Sequence, residues 1–284
     1  MTLLVIGASG LVGGELSRRA KGRGLACVGA ARAAEGEATR VVDLRDRATI
    51  DSLLAEVSPT TVAICSAWPY VDGCEADPSR SFRENVTTVA NLLASLEGAN
   101  TRVLFFSTDH VFDGTLPRYV ERDVPHPLSV YAKHKRAVEE LLLTRGRALV
   151  VRTAWVFGAE ARKKNFLYRV LSSAKMGERM KLPARQAGTP TWTGWLAEST
   201  LTLLDRDLDG VAHLSGSELL TKAEWALLLA QALALPPLDV EEVPPERAGQ
   251  VAPRPERVLL ASQRHELIQP DLRSILHAEG SQFV

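Results

Sequence analysis

Tyr131 and Lys135 are the two side chains whose types and spacing point most directly to chemistry. Residues four apart lie on one face of a helix, one turn from each other. An ammonium beside a phenol favours the phenolate, so the pattern predicts a tyrosine with a lowered pKa that can donate a proton at neutral pH. Protonation of a carbonyl oxygen during its reduction requires such a group. The same spacing also arises by chance in ordinary surface pairs, so the interpretation depends on a nucleotide site elsewhere in the chain.

A glycine-rich turn near the start of the chain supplies that context. Residues 3–6 read as a short buried strand, and a helical pattern begins at Glu15. Glycines in the intervening G-x-x-G-x-x-G turn let the backbone approach a pyrophosphate, and a helix N-terminus offers N–H groups and a positive dipole. The order strand, glycine turn, helix therefore favours dinucleotide binding over a plain tight turn. The predicted cofactor contacts in this turn are Gly7, Ser9, Gly10, Leu11, Val12 and Gly13.

The end of the predicted second strand, residues 25–31, indicates which dinucleotide is bound. NAD enzymes place an acid there for the ribose hydroxyls, whereas Arg32 follows this strand and no acid occurs before Glu35. An arginine suits the 2′-phosphate of NADP, so NADPH is the predicted cofactor. NADH is the alternative if Arg32 is only a solvated loop residue. Further cofactor contacts are predicted at other strand ends, at Asp43, Leu44, Ser66 and Ala67.

Strand and helix patterns alternate through the first part of the chain, and the strands are near-continuous apolar runs. Such runs are typical of parallel strands buried on both faces. We therefore predict an α/β fold with a Rossmann-like, doubly wound parallel sheet in residues 1–158. Residues 159–284 are predicted to be a smaller, mainly substrate-binding region with some segments that return to the sheet. The predicted strands of the first part are 3–6, 25–31, 40–44, 61–66, 102–106 and 148–158, and its predicted helices are 48–57, 81–96 and one that Ser129 opens.

The second region contains fewer clear signals. Helices are predicted at 167–176 and 221–234, the second with Thr221 and Glu224 as a capping box. The proline-rich residues 236–255 are predicted to be loosely structured. A basic stretch at 161–164 precedes the first of these helices, where positive charge opposes the helix dipole unless an anion binds there.

Composition limits the classes of function. The 284 residues carry 34 basic and 34 acidic side chains, which argues against a nucleic-acid binder. Cys27, Cys65 and Cys74 form no metal or redox spacing, so we predict no metal site and a reducing, cytoplasmic location. Cys74 is predicted to lie in a loop as a free thiol. The sequence shows no signal-peptide pattern and no apolar run long enough to span a membrane, so no membrane partner is predicted.

With these residues laid out, the chain resembles the extended short-chain dehydrogenase/reductases, and within them the dTDP-4-dehydrorhamnose reductase branch. The matching motifs occur in the family's order over most of the chain. They are Gly7-Ala-Ser-Gly-Leu-Val-Gly13, Ser107-Thr-Asp-His-Val-Phe-Asp-Gly114, Tyr131-Ala-Lys-His-Lys135, Arg152-Thr-Ala-Trp-Val-Phe-Gly158, Asn165-Phe166, Gly188-Thr-Pro-Thr191 and Gly210-Val-Ala-His-Leu-Ser-Gly216.

The resemblance implies a role for each matched residue. Tyr131 would protonate the carbonyl oxygen, Thr108 would hydrogen-bond it, and Lys135 would hold the nicotinamide ribose, which makes these three the predicted catalytic residues. The substrate-binding positions implied are Trp68, Asp72, Thr108, Asp109, Trp155 and Asn165. The chain departs from the family pattern at Ala132, His134, His110 and Arg185 and in a short loop that carries Trp68 and Pro69.

The function that the resemblance implies is NADPH-dependent reduction of a nucleotide-linked 4-keto-6-deoxy sugar. The partner is then a small-molecule substrate, and a homodimer is the assembly considered. One alternative is a non-catalytic NADP-binding regulator that resembles the methionine adenosyltransferase beta subunit. The other is a sugar-nucleotide epimerase or dehydratase, which would consume no NADPH overall.

Overall fold

A computed structural model describes residues 1–283 and contains thirteen strands and ten α-helices over that range. The strands are β1 Thr2–Ile6, β2 Ala26–Ala31, β3 Arg40–Val41, β4 Thr61–Ile64, β5 Arg102–Thr108, β6 Ala148–Thr153, β7 Val156–Phe157, β8 Met180–Pro183, β9 Ala187–Gly188, β10 Thr191–Trp192, β11 Gly210–His213, β12 Leu220–Thr221 and β13 Val240–Val243. The helices are α1 Leu11–Gly22, α2 Arg47–Val57, α3 Val71–Ala76, α4 Pro78–Phe82, α5 Thr88–Ser95, α6 Val130–Arg145, α7 Phe166–Met176, α8 Thr193–Asp205, α9 Lys222–Ala232 and α10 Leu272–Glu279.

Seven parallel strands form the main sheet in the order β11-β6-β5-β4-β1-β2-β3. The predicted α/β class with a Rossmann-like parallel sheet is confirmed. The chain runs outward from β1 through β2 to β3 and then crosses to β4 on the other side of β1. This reversal leaves a crevice beyond the carboxyl ends of β1 and β4, which is where ligands bind in open α/β sheets.

Alternate residues of each strand pack into opposite layers of the core. Leu3, Val5 and Leu104 face the layer that contains α1 and α8. Leu4 and Phe105 face the layer of α2, α5 and α6. Because apolar side chains are required on both faces, these strands show the continuous apolar runs seen in the sequence rather than an alternating pattern.

Two segments beyond residue 158 pack with the first part of the chain, one as a strand of this sheet and one as a helix on α1. β11 pairs with β6 in a register that places Gly210 opposite Leu149 and His213 opposite Arg152. α8 packs on α1, and the Arg23 guanidinium donates to the Glu198 carboxylate at 2.7 Å across that contact. The division of the chain into a cofactor part and a substrate part near residue 158 stays a prediction about function.

Several predicted element boundaries are wrong. The third strand ends at Val41 rather than at residue 44. The predicted strand 148–158 is broken between β6 and β7 at Trp155, which has a left-handed backbone with φ of +40°. The proline-rich stretch 236–255 is also more ordered than expected, because β13 pairs in parallel with β8 inside it.

The predicted helix 81–96 is interrupted by a π-helical turn at Arg83–Thr87 between α4 and α5. Its central residue, Asn85, accepts a hydrogen bond from the Trp68 N–H at 2.7 Å and donates to the Trp68 carbonyl at 3.2 Å. The wider turn thus aims an amide at the loop after β4, as π turns often do near functional sites. Cys74, predicted in a loop, is instead fully buried in the short helix α3.

Candidate active site

A cavity of about 360 Å³ occupies the crevice beyond β1 and β4. It is bounded by the glycine turn, the ends of β2 and β4 and the segment after β3. The lining includes eight of the predicted cofactor residues, which are Gly7, Ser9, Gly10, Arg32, Asp43, Leu44, Ser66 and Ala67. Leu11, Val12 and Gly13 do not line it but form the first turn of α1 directly behind it.

The glycine turn requires glycine for two structural reasons. Gly7 has a left-handed backbone with φ of +91°, and a β-carbon there would lie 2.6 Å from the Ser66 nitrogen. A β-carbon on Gly13 would overlap the Gly7 carbonyl oxygen. Strand β1, helix α1 and the end of β4 therefore approach one another at backbone contact distance, which leaves the helix N–H groups facing the cavity.

Three arginines surround the mouth of the cavity. The Arg32 side chain is 72% exposed and lies 3.8 Å from the Glu84 carboxylate. Arg45 hydrogen-bonds Asp43 at 2.6 Å and thereby helps to lower the pKa of that carboxyl to about 2. Arg162 comes from the basic stretch before α7 and donates to the Ser9 hydroxyl at 3.4 Å. Of the three, the sequence predicts only Arg32 as a cofactor contact. For the basic stretch that contains Arg162, it predicts only that a bound anion would offset the unfavourable charge at the start of α7.

Tyr131 and Lys135 lie on the buried face of α6, with Ser129 capping the helix by accepting from the Ala132 N–H at 3.3 Å. The Lys135 ammonium donates to the Phe106 carbonyl at 2.8 Å and lies 4.4 Å from the centre of the Phe105 ring. Burial lowers the pKa of Lys135 to about 8, against the opposing charge of Glu139.

The prediction that Lys135 lowers the pKa of Tyr131 is wrong. Burial raises the pKa of the Tyr131 phenol well above its ordinary value, and the nearby Asp109 carboxylate raises it further. The lysine ammonium is directed at the Phe106 carbonyl instead of the phenol. Tyr131 is therefore held firmly protonated, so it can act as a donor toward a strongly basic oxygen.

A buried ion pair fixes α6 to the sheet. Glu139, one turn after Lys135, accepts two hydrogen bonds from the Arg152 guanidinium, at 3.0 and 2.7 Å. Both side chains are almost completely buried, at 0% and 1% exposure. Because removal of either partner would leave an unpaired buried charge, this pair holds α6 in a definite position on β6.

Thr108 and Asp109 lie at the carboxyl end of β5, next to Tyr131. The Thr108 hydroxyl donates to the Asp109 carboxylate at 3.1 Å and accepts from the His110 N–H at 3.2 Å. Both residues are buried. The structure thus brings together Thr108, Asp109, Tyr131 and Lys135 at one end of β5 and α6.

The side chain of Asp72 is held by a distant part of the chain. Its carboxylate accepts from the Arg254 guanidinium at 2.6 Å and from the backbone N–H groups of Val251 and Ala252 at 2.8 and 2.9 Å. Burial opposes its ionisation, but these hydrogen bonds together lower the pKa of Asp72 to about 2. Its role as a sugar contact stays a prediction, and its observed role is to attach residues 251–254 to α3.

The remaining predicted substrate contacts lie on three segments around this end of the sheet. The Trp155 ring lies directly under the Lys222 ammonium, 3.3 Å from the ring centre. Asn165 caps α7 by accepting from the Leu167 N–H at 3.1 Å and donates to the Gly158 carbonyl at 2.9 Å. The Trp68 ring is covered by the Arg80 guanidinium at 4.4 Å. Their contacts with substrate stay predictions.

The family model described as RmlD substrate binding domain matches residues 1–274. The chain belongs to the RmlD family. The predicted resemblance to the dTDP-4-dehydrorhamnose reductase branch is confirmed. A dTDP-4-keto-6-deoxy-D-glucose reductase of Streptomyces niveus is 30% identical over 256 residues, which are 88% of this chain and 86% of that protein. Methionine adenosyltransferase 2 subunit beta of Xenopus laevis is 28% identical over 260 residues, 89% of this chain and 78% of that protein.

A solved structure shows the same fold. The crystal structure of dTDP-4-dehydrorhamnose reductase from Bacillus anthracis in complex with NADP has a TM-score of 0.87 to this chain. The two are 22% identical, and the match covers 99% of this chain and 100% of that one. At 22% identity, the structural similarity shows that the two proteins share a fold and nothing further.

Besides Arg45 and Arg162, three further residues around this site were not assigned to it from the sequence. Arg254 lies in the proline-rich stretch and carries no local signal. Asn85 was seen only as a helical residue, because a π turn has no pattern of its own. Lys222 follows the capping residue Thr221, which predicts a helix start but not a place beside Trp155.

In residues 1–283, no helix is long and apolar enough to cross a membrane, and no group of three or more acidic, histidine or cysteine side chains is placed to hold a metal.

Proposed function

We propose that this protein is an NADPH-dependent reductase of a nucleotide-linked 4-keto-6-deoxy sugar. The observation that carries the proposal is that Tyr131 and Lys135 lie on the buried face of α6, which packs on β5, the strand that ends at Thr108. A carbonyl placed there would have a proton donor, a hydroxyl donor and an ammonium around it. The name and near-complete overlap of the Streptomyces niveus relative support the sugar nucleotide as substrate.

Tyr131 is the proton donor to the keto oxygen. Its raised pKa keeps the phenol protonated before the reaction, and the oxygen becomes basic enough to take the proton as negative charge develops on it. The Thr108 hydroxyl stabilises the same oxygen and must turn away from Asp109 to do so. Lys135, fixed by the Phe106 carbonyl, would hold the nicotinamide ribose.

The residues around the cavity fit a dinucleotide. Because Gly7 and Gly13 lack side chains, β1, α1 and the end of β4 meet at backbone contact distance, and the α1 N-terminus faces the space where a pyrophosphate would sit. Arg32 and Arg45 would bind the 2′-phosphate, which favours NADPH, while Ser66 and Ala67 would border the nicotinamide half. When bound, the reduced nicotinamide supplies the hydride for the keto carbon.

The test is NADPH oxidation with a panel of dTDP-, UDP- and GDP-linked 4-keto-6-deoxy sugars. We expect turnover with at least one of them and a product reduced at C4. NADPH bound without oxidation across the panel would refute the reductase and favour a regulator. Conversion of sugar nucleotides with no net NADPH consumption would instead indicate an epimerase or dehydratase.

A regulatory role is the second candidate, because the Xenopus laevis methionine adenosyltransferase beta subunit matches 89% of this chain. The altered residues Ala132 and His134 between Tyr131 and Lys135 are compatible with lost turnover. Under this alternative the protein binds NADP and attaches to a catalytic partner. A homodimer also stays a prediction, and light scattering of the purified protein measures it directly.

A further inference from the structure

Lys222 places a positive charge on an aromatic surface beside the catalytic residues. Its ammonium lies 3.3 Å from the centre of the Trp155 ring and 4.8 Å from the centre of the Phe166 ring. The start of α9 fixes the backbone at this point, because Thr221 and Glu224 close a reciprocal capping box around it. The lysine is therefore held at the edge of the substrate region.

Among residues 1–283, no carboxylate lies within 4 Å of the Lys222 ammonium and no hydrogen bond reaches it. Its charged neighbours are Asp109, which favours the ammonium, and Arg169 and Arg254, which oppose it. Arg254 is neutralised by Asp72, whereas Arg169 lies 5.8 Å from the Phe166 ring centre. Cations collected around two rings repel one another unless an anion lies between them.

Burial, the largest effect, lowers the pKa of Lys222 to about 7, with Asp109 opposing this shift and the two arginines adding to it. The ammonium is thus the dominant form only below neutral pH when no anion is bound. An anion at this place would favour the charged form and raise the pKa again.

The geometry of the substrate suggests which anion this is. A sugar whose C4 carbonyl lies at Tyr131 carries its nucleotide on C1, across the ring. An anionic group joined to C1 therefore lies to the side of the catalytic residues and not on them. The Trp155–Phe166 surface borders the catalytic end of β5, since the Lys222 above it is within electrostatic range of Asp109.

We propose that Lys222 and Arg169 bind the diphosphate of the nucleotide sugar over the Trp155–Phe166 surface. This inference rests on the proposed function, since it identifies the part of the substrate that makes these contacts. It makes Lys222 a specificity residue that selects for sugars carrying a doubly charged diphosphate on C1. It also makes substrate affinity depend on the protonation state of Lys222.

The experiment measures binding of dTDP-glucose, UDP-glucose and inorganic pyrophosphate to the NADP-loaded protein by calorimetry. A nucleotide sugar keeps both diphosphate charges between about pH 6 and about pH 9, so a change in affinity over that range reports on the protein. We expect affinity of the wild-type protein for dTDP-glucose to fall about tenfold as the pH rises through the lysine pKa, the scale of one charge-assisted contact.

Three variants separate the charge from the fold. Lys222→Met should bind dTDP-glucose at about pH 6 about tenfold more weakly than wild type and lose the pH dependence. Lys222→Arg should keep tight binding at both pH values, because arginine stays charged. Lys175→Met, an exposed lysine on α7, is the matched control and should change nothing. NADP affinity and the thermal midpoint should be equal in all four proteins.

Each outcome bears on a different claim. Unchanged dTDP-glucose affinity in Lys222→Met, or an unchanged pH dependence, overturns the role of Lys222 even if the enzyme reduces its keto sugar. Pyrophosphate binding that depends on Lys222 in a protein without reductase activity would support the anion site and refute the proposed function. Absence of binding by wild type to all three ligands would overturn both.

Discussion

The proposed cofactor side and the proposed substrate side of this site are built in different ways. The cofactor cavity is formed by strand ends and turns between residues 6 and 88, with Arg162 as the single contribution from farther along the chain. The substrate side joins segments that are distant in sequence, such as Asp72 with Arg254 and Trp155 with Lys222. Local backbone geometry specifies the first, whereas the second exists only after the whole chain has folded.

The two sides also differ in what they tolerate. The cofactor side depends on backbone atoms in contact, as at Gly7 and Gly13, where even one added carbon has no room. The substrate side depends on rings and charges, which can be exchanged without rebuilding the backbone. A family can therefore keep one cofactor and change its sugar, and substitutions should separate cofactor binding from substrate binding.

Tyr131→Phe should separate the two sides most strongly. Loss of the phenol proton should reduce turnover at least about a hundredfold, while NADPH affinity stays almost unchanged, because only the hydroxyl is removed. Steady-state kinetics and NADPH titration measure the two effects. Tyr70→Phe, at a 62% exposed tyrosine, is the control and should behave as wild type. Near-native turnover of Tyr131→Phe would exclude this residue as the proton donor.

Gly13→Ala should damage the cofactor side through the backbone. The added methyl group would meet the Gly7 carbonyl, so we expect about 1–3 kcal/mol lower free energy of unfolding and at least tenfold weaker NADPH binding. Gly22→Ala, in the same helix with no atom near the new carbon, should instead be neutral or slightly stabilising. Denaturant unfolding and NADPH titration of both variants test this, and equal behaviour would show that the turn is not tightly packed.

Trp155→Ala should affect only the substrate side. Removal of the ring that underlies Lys222 should raise KM for the sugar nucleotide by about tenfold, the scale of a lost aromatic and cation contact, and leave NADPH affinity unchanged. The measurement is KM together with the NADPH dissociation constant. If cofactor affinity fell equally, Trp155 would be a folding residue and not a substrate contact.

Arg32→Asp should change only the choice of cofactor. The wild-type protein should prefer NADPH to NADH by about tenfold at moderate salt, less as ionic strength rises, because Arg32 is largely exposed. The variant should reverse the preference, since an acid repels the 2′-phosphate and accepts from the ribose hydroxyls. Arg47→Asp, on the exposed face of α2, is the control. A preserved NADPH preference in Arg32→Asp would assign that preference to Arg45.

The same contrast explains what the sequence could predict. The glycine turn, the strand ends with Arg32 and Asp43, and the Tyr131–Lys135 spacing are local patterns. The structure places the first two around one crevice and the Tyr131–Lys135 pair against the end of β5. The direction of the Tyr131 pKa shift was not predictable, because it depends on burial and on Asp109, which lies in the turn after β5. The ion pair between Asp72 and Arg254 joins residues that are distant in sequence, and so does the contact of Lys222 with Trp155. No local sequence pattern predicts either contact.

The seventh strand of the sheet has a consequence for synthesis of the chain. During translation, β1 to β6 leave the ribosome before β11, so the outer edge of β6 has no partner until residue 213 has emerged. The apolar face of α1 that α8 covers is exposed for the same period. Unpaired strand edges and bare apolar faces promote association between chains. The nascent protein is therefore most prone to aggregate after its cofactor site has been synthesised and before its last sheet strand arrives.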